Sequence, residues 1–97
     1  MIVLFGDHQG KLMTAFYEQL FGKSTDYLTV EENQMEYITP FMIWTNYDSP
    51  EVEDAMISTN YLGALTAKAA NLPMTDYMTF LEKLYKEIPV INTNGYI

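Results

Sequence analysis

The chain has 97 residues, 48% of them hydrophobic and 14% aromatic, which suits a single domain at most, or part of one. Its net charge is −8, from 13 acids against 5 lysines with no arginine, and it has no cysteine. That balance argues against binding to phosphate backbones, which needs clustered Lys or Arg, and against unaided docking to anionic lipid. Disulfides and thiolate metal sites are excluded.

No segment approaches the roughly 20 apolar residues of a membrane helix. The N-terminal apolar run is short and lacks the basic flank of a signal peptide. The chain is therefore expected to be soluble, with no address of its own. The redox compartment is left open.

Ile2–Phe5 reads as a buried strand of four large apolar residues stopped by Gly6. Termini are normally frayed and exposed, so a chain that opens on such a strand is expected to be preceded by more of its domain. Lys11–Phe21 reads as a helix. Leu12, Phe16 and Leu20 recur at intervals of four, Met13, Tyr17 and Phe21 widen that face, and Gly22 is a C-terminal stop. Lys23–Tyr27 reads as a loop. Thr29 and Glu32 have capping-box spacing, which predicts a short helix to about Tyr37. Pro40 forces Thr39 into an extended conformation. Phe41–Thr45 is a second strand, again apolar on both faces. Such strands belong to sheets covered by helices on both sides.

Asn46–Asp54 is an acidic loop. Ser58 or Thr59 is predicted to cap a helix with Tyr61, Leu62, Leu65 and Ala69 inward, ended by Asn71 and Pro73. Thr75 caps another, in which Met78, Leu81, Leu84, Tyr85 and Ile88 recur at three and four. Pro89 stops it. Val90–Ile91 is a short strand and Asn92–Gly95 has turn chemistry. The order β-α-α-β-α-α-β predicts an α/β layered sheet, thin at three strands.

Ligands of open α/β sheets sit past the carboxyl ends of strands, where Asp7 and His8 lie. Carboxylate oxygen and imidazole nitrogen suit divalent ions of the Zn, Mn or Fe type. Adjacent side chains on a strand point to opposite faces, so both reach one ion only if Gly6 has already broken the strand. By itself the dipeptide reads first as an ordinary turn, with Asp7 capping backbone donors and His8 solvated. Ser24, Ser49 and Ser58 lack a nucleophile elbow. None of the ten threonines has a context that marks it as activated. Glu51, Glu53 and Asp54 lack the calcium-loop pattern and read as a solvated acidic loop. Trp44 and the eight tyrosines read as core and interface packing before they read as a binding groove.

Five stretches in order, "IVLFGDHQ", "FYEQLFGK", "EENQMEYITPFMIWTNYD", "STNYLGALTAKAANLP" and "PVINTNGY", carry a resemblance. Together they resemble the carboxyl-terminal part of the lipoteichoic-acid-synthase-like sulfatase domain, within the alkaline phosphatase superfamily. The resemblance spans essentially the whole chain, and "FGDH" and "TPFMIWTNYD" are its most specific pieces. It implies a partial α/β/α sandwich with a metal at the strand ends, residues 1–97 forming one partial domain. It also implies transfer of phosphoglycerol, or cleavage of phosphate or sulfate esters, outside the cell by a membrane-anchored parent enzyme. Asp7 and His8 would be metal ligands, for manganese or alternatively zinc.

The family's threonine nucleophile and amino-terminal acidic ligand precede "FGDH", and its substrate-contacting histidine is absent, since His8 is the only one. The chain is thus expected to be inactive alone and to bind little or no metal by itself. Thr39–Asp48 would supply a central strand and a loop near the site, and the two later helices would cover one sheet face. The alternative is a small non-catalytic domain acting by self-association. The expected partners are a second copy, in a homodimer formed by strand pairing or uncovered apolar surface, or the remainder of the parent domain. No nucleic acid is expected as a partner. The substrate head group is not encoded in these residues.

Overall fold

A computed structural model describes residues 1–97. The chain runs β1 (Ile2–Phe5), α1 (Thr14–Phe21), a 3₁₀ turn (Thr25–Tyr27), α2 (Val30–Met35) and β2 (Phe41–Trp44). A second 3₁₀ turn (Thr59–Tyr61) follows, then α3 (Leu62–Ala69), α4 (Asp76–Glu87), β3 (Ile91–Asn92) and β4 (Gly95–Tyr96). The mixed α/β class and the predicted sequence of elements hold, with β4 added after the 92–95 turn.

Local chemistry sets most boundaries. Gly22 ends α1 in the left-handed region at φ 70°, its N–H donating to the Glu18 carbonyl at 2.9 Å. At α2 both halves of the capping box form. Thr29 Oγ1 accepts from the Glu32 N–H at 3.2 Å, and Glu32 Oε2 accepts from the Thr29 N–H at 2.8 Å. Glu32 is also 2.7 Å from the Lys23 ammonium. Lys23, and then the Thr29 N–H, hold the Glu32 carboxyl below the usual glutamate range. Thr75 caps α4 by accepting from Met78 N–H at 3.1 Å. Two boundaries differ from expectation. α1 begins at Thr14, three residues late, because Met13 at its N-cap offers no oxygen to the free N–H groups. Ser58 does not cap the next helix with its side chain, because its hydroxyl is committed to Ile91 O at 2.9 Å, and the helix opens with a 3₁₀ turn.

β1 and β2 form an antiparallel ribbon, with Ile2 opposite Trp44, Val3 opposite Ile43, Leu4 opposite Met42 and Phe5 opposite Phe41. β3 and β4 form a second, separate ribbon. One connecting helix returns a chain to its starting end, so that the next strand runs parallel. Here two helices intervene. They bring the chain back to the end where β1 stopped, and β2 starts there in the opposite direction. Gly6 marks the junction: its N–H donates to Pro40 O at 3.0 Å and its carbonyl accepts from Thr39 Oγ1 at 2.8 Å. A Cβ at Gly6 would lie 3.0 Å from Thr39 Cβ, so the approach requires glycine.

The expectation of strands covered on both faces is corrected. Ile2, Leu4, Met42 and Trp44 share one face of the β1–β2 ribbon and all are exposed. α3 and α4 pack on each other and on the second 3₁₀ turn, not across this ribbon. Apolar strands record what they are able to bury, and two helices spent on each other leave nothing to bury them.

The core therefore sits in the second half of the chain. Tyr61, Ala64 and Leu81 form its centre, with Leu62 and Ala67 also buried on α3 and Met74, Met78, Leu84 and Tyr85 around it. Leu65 and Ala69, expected inward, are half-buried. Tyr61 is 1% exposed, its hydroxyl donates to Ile88 O at 2.7 Å, and its ring tilts against Tyr85 at 5.7 Å. The one buried polar residue, Gln34 on α2, ties the two halves together. It donates to Gly95 O at 3.2 Å and accepts from the Asn92 amide.

This is an open molecule. A folded chain of 11.2 kDa exposes about 5,700 Å², whereas this one exposes 7557 Å². Its radius of gyration is 16.0 Å, against about 12.5 Å for a compact domain of this length.

Candidate functional site

Asp7 and His8 lie where β1 has ended and the chain has turned past Gly6, beside the entry to β2. The strand has broken, and the two side chains come to the same side instead of alternating. His8 Nε2 is 3.8 Å from Asp7 Oδ2, and both side chains are exposed, at 78% and 83%. Asp7 Oδ1 also accepts from the His8 backbone N–H at 2.9 Å, which fixes the carboxylate relative to its neighbour.

The other ring nitrogen decides the chemistry. His8 Nδ1 is 3.0 Å from the Gln9 carbonyl. A carbonyl only accepts, so Nδ1 carries a proton and Nε2 is left to face the carboxylate. In neutral imidazole that nitrogen presents a lone pair. Two electron-rich groups facing each other across 3.8 Å call for a positive charge between them, either a proton on Nε2 or a cation. A histidine that donates one N–H to a carbonyl and offers the other nitrogen is the usual arrangement of a metal ligand.

Gln9 holds this turn in place, a role not evident from residue type or spacing. Its amide donates to Met35 O at 3.1 Å and Ile38 O at 2.6 Å. The last carbonyls of a helix lack intrahelical partners, and α2 ends at Met35, so a donor is needed there. The signal was present in principle: a glutamine beside a candidate site, and a helix stop 26 residues on without a basic residue in its last turn.

Asp7, but not His8, also lines a groove of about 920 Å³. Ile38 and Phe41 stand on one wall, Ile57, Leu62 and Val90 on the other. Its floor is mainly apolar, and the lining includes three acids, Asp7, Glu31 and Asp54, and no lysine. A groove of that size admits a small organic molecule.

Several predicted pieces are not brought to this place. The loop following β2 was expected near Asp7 and His8. Antiparallel pairing puts Thr45–Asp48 at the far end of the ribbon, about 13 Å of strand away. Thr45 and Ser49 hydrogen-bond each other there. Trp44 is exposed at that same far end. Thr39 does lie beside Gly6, but its hydroxyl is spent on the Gly6 carbonyl. Glu51, Glu53 and Asp54 lie outside any helix or strand. No group of three or more His, Asp or Glu side chains gathers anywhere to hold a metal ion.

No known family's profile matches the chain, and no solved structure matches it. Among characterised sequences, it is similar to the "Putative cyclic beta-1,2-glucan modification protein" of Rhizobium meliloti (strain 1021). The two are 33% identical over 98 residues, which is 95% of this chain. The chain spans 15% of the length of that protein, so the likeness is to one stretch of a much longer polypeptide.

Proposed function

We propose that these residues form the carboxyl-terminal portion of a metal-dependent, sulfatase-like domain that transfers phosphoglycerol or cleaves a phosphoester, with Asp7 and His8 supplying two of the metal's ligands. The observation that carries this reading is the ring geometry. Nδ1–H is anchored on Gln9 O, and Nε2 faces the Asp7 carboxylate with nothing positive between them. The similarity to a stretch of a protein named for glucan modification supports a role in substituting a carbohydrate polymer, with a glycerol phosphate ester as the group handled.

The donor set fits part of such a site. Ligands side by side on a divalent ion, each at about 2.1 Å, stand roughly 3.0–3.4 Å apart. The observed 3.8 Å closes to that by a small rotation of an exposed side chain. Two donors do not complete a coordination shell, so the remaining ligands and the attacking hydroxyl would come from elsewhere in a longer chain. When bound, the metal would polarise the ester and lower the pKa of the attacking group. The chain's own contributions are distinct from that. Gly6 breaks the strand, Gln9 fixes the turn, Asp7 and His8 present one oxygen and one nitrogen, and the groove beside Asp7 admits the substrate's organic part.

Calorimetric titration with Mn²⁺ and Zn²⁺ tests the assignment. The 97-residue chain should bind either ion weakly, above the micromolar range, and lose that binding in His8→Ala and in Asp7→Ala. A chromogenic phosphodiester should not be turned over. Metal binding left unchanged by both substitutions would remove the pair from the ligand set.

A further inference from the structure

We infer that the 97-residue chain by itself forms a two-fold homodimer by antiparallel pairing of β1 with β1 of a second copy. The inference is independent of the metal reading. It starts from the hydrogen bonding of the ribbon. Gly6 donates to Pro40 O, so the alternation of an antiparallel pair directs the peptide groups of Ile2 and Leu4 toward β2 as well. The peptide groups of Val3 and Phe5 consequently point outward from β1, and no third strand joins there.

Natural edge strands are blunted by lysine, proline, a bulge or a covering element. Ile2–Phe5 has no charge and no proline, its register to β2 is unbroken, and Leu4 is 57% exposed. A ribbon of two strands is marginal in water, whereas four strands with a shared apolar face are not. The occupant that matches such an edge is the same edge. Centring the two-fold axis on Leu4 sets Val3 opposite Phe5 of the second copy, so that all outward peptide groups pair reciprocally. It also places Leu4 against Leu4 and joins the two exposed faces of Ile2, Leu4, Met42 and Trp44 into one. The acids responsible for the charge of −8 all lie outside β1 and β2, so like charges do not meet across the seam. The area is sufficient: the chain exposes about 1,900 Å² more than a compact one of its mass, and a stable interface takes about 800 Å² from each partner.

The lack of cysteine makes the test direct. In sedimentation velocity at micromolar concentration the chain should run at twice 11.2 kDa. Val3→Pro removes an outward N–H while leaving the bonds to β2, and should give a monomer with an unchanged far-ultraviolet spectrum. Leu4→Cys should form an intermolecular disulfide under mild oxidation, because facing residues of a non-hydrogen-bonded pair are close enough to bridge. Met13→Cys, which is 78% exposed but remote from the seam, should not. The crosslink is read on the folded protein even if Val3→Pro fails to fold. A monomer at all concentrations, or equal crosslinking of Leu4→Cys and Met13→Cys, overturns the inference.

Discussion

Tyr61 is the side chain on which the second half of the molecule is built, and its removal can be worked through quantitatively. It is the most deeply buried residue, it stands at the start of α3, and its hydroxyl reaches Ile88 O at the end of α4. Tyr61→Phe keeps the ring and its packing on Tyr85, and removes one hydrogen bond. The Ile88 carbonyl is only partly buried and can recruit water, so the cost is at the low end for an orphaned acceptor, about 1 kcal/mol. For a chain of this length that lowers the melting temperature by about 4–8 °C. Tyr61→Ala empties the centre of the cluster and should cost about 3–5 kcal/mol. At the lower end of typical stability per residue, the whole chain has about 5 kcal/mol, so the alanine variant should be largely unfolded at 25 °C. Thermal and urea unfolding followed by circular dichroism measure both, at one fixed protein concentration because association shifts the midpoint. A Tyr61→Phe variant that melts with the wild type would show that the α3–α4 tie contributes nothing. A folded, cooperative Tyr61→Ala variant would show that the stabilising core is elsewhere.

Gly6→Ala places a methyl 3.0 Å from Thr39 Cβ, so the turn carrying Asp7 and His8 must shift. It should destabilise by about 1–3 kcal/mol, read as a lower melting temperature and faster amide exchange in β1 and β2. The pH dependence of the Lys23–Glu32 contact has a definite sign. The folded-state pKa of Glu32 is depressed, chiefly by Lys23, so the contribution is present above the ordinary glutamate range and is lost as pH falls through the lower folded value. The small difference in melting temperature between wild type and Lys23→Ala should therefore be visible at neutral pH and vanish in acid. A difference that grows on acidification would contradict the assignment.

Where the determinants were local, the residues alone were enough. The Thr29–Glu32 capping box, the Gly22 stop, the Thr75 cap and the breaks at Pro40 and Pro89 each depend on atoms within a few residues, and each appears as read. The place of Asp7 and His8 past a strand end was legible for the same reason. What came from the tertiary structure was direction and cover. Strand apolarity is the same whether the neighbour runs parallel or antiparallel, and whether a helix lies above it or not. Only the return of two helices to the end of β1 made the ribbon antiparallel, which sent Thr45–Asp48 away from the site. Only the packing of α3 on α4 left Ile2, Leu4, Met42 and Trp44 uncovered. The anchoring of His8 through Gln9 to the end of α2 likewise depends on carbonyls 26 and 29 residues distant, which no local pattern reports.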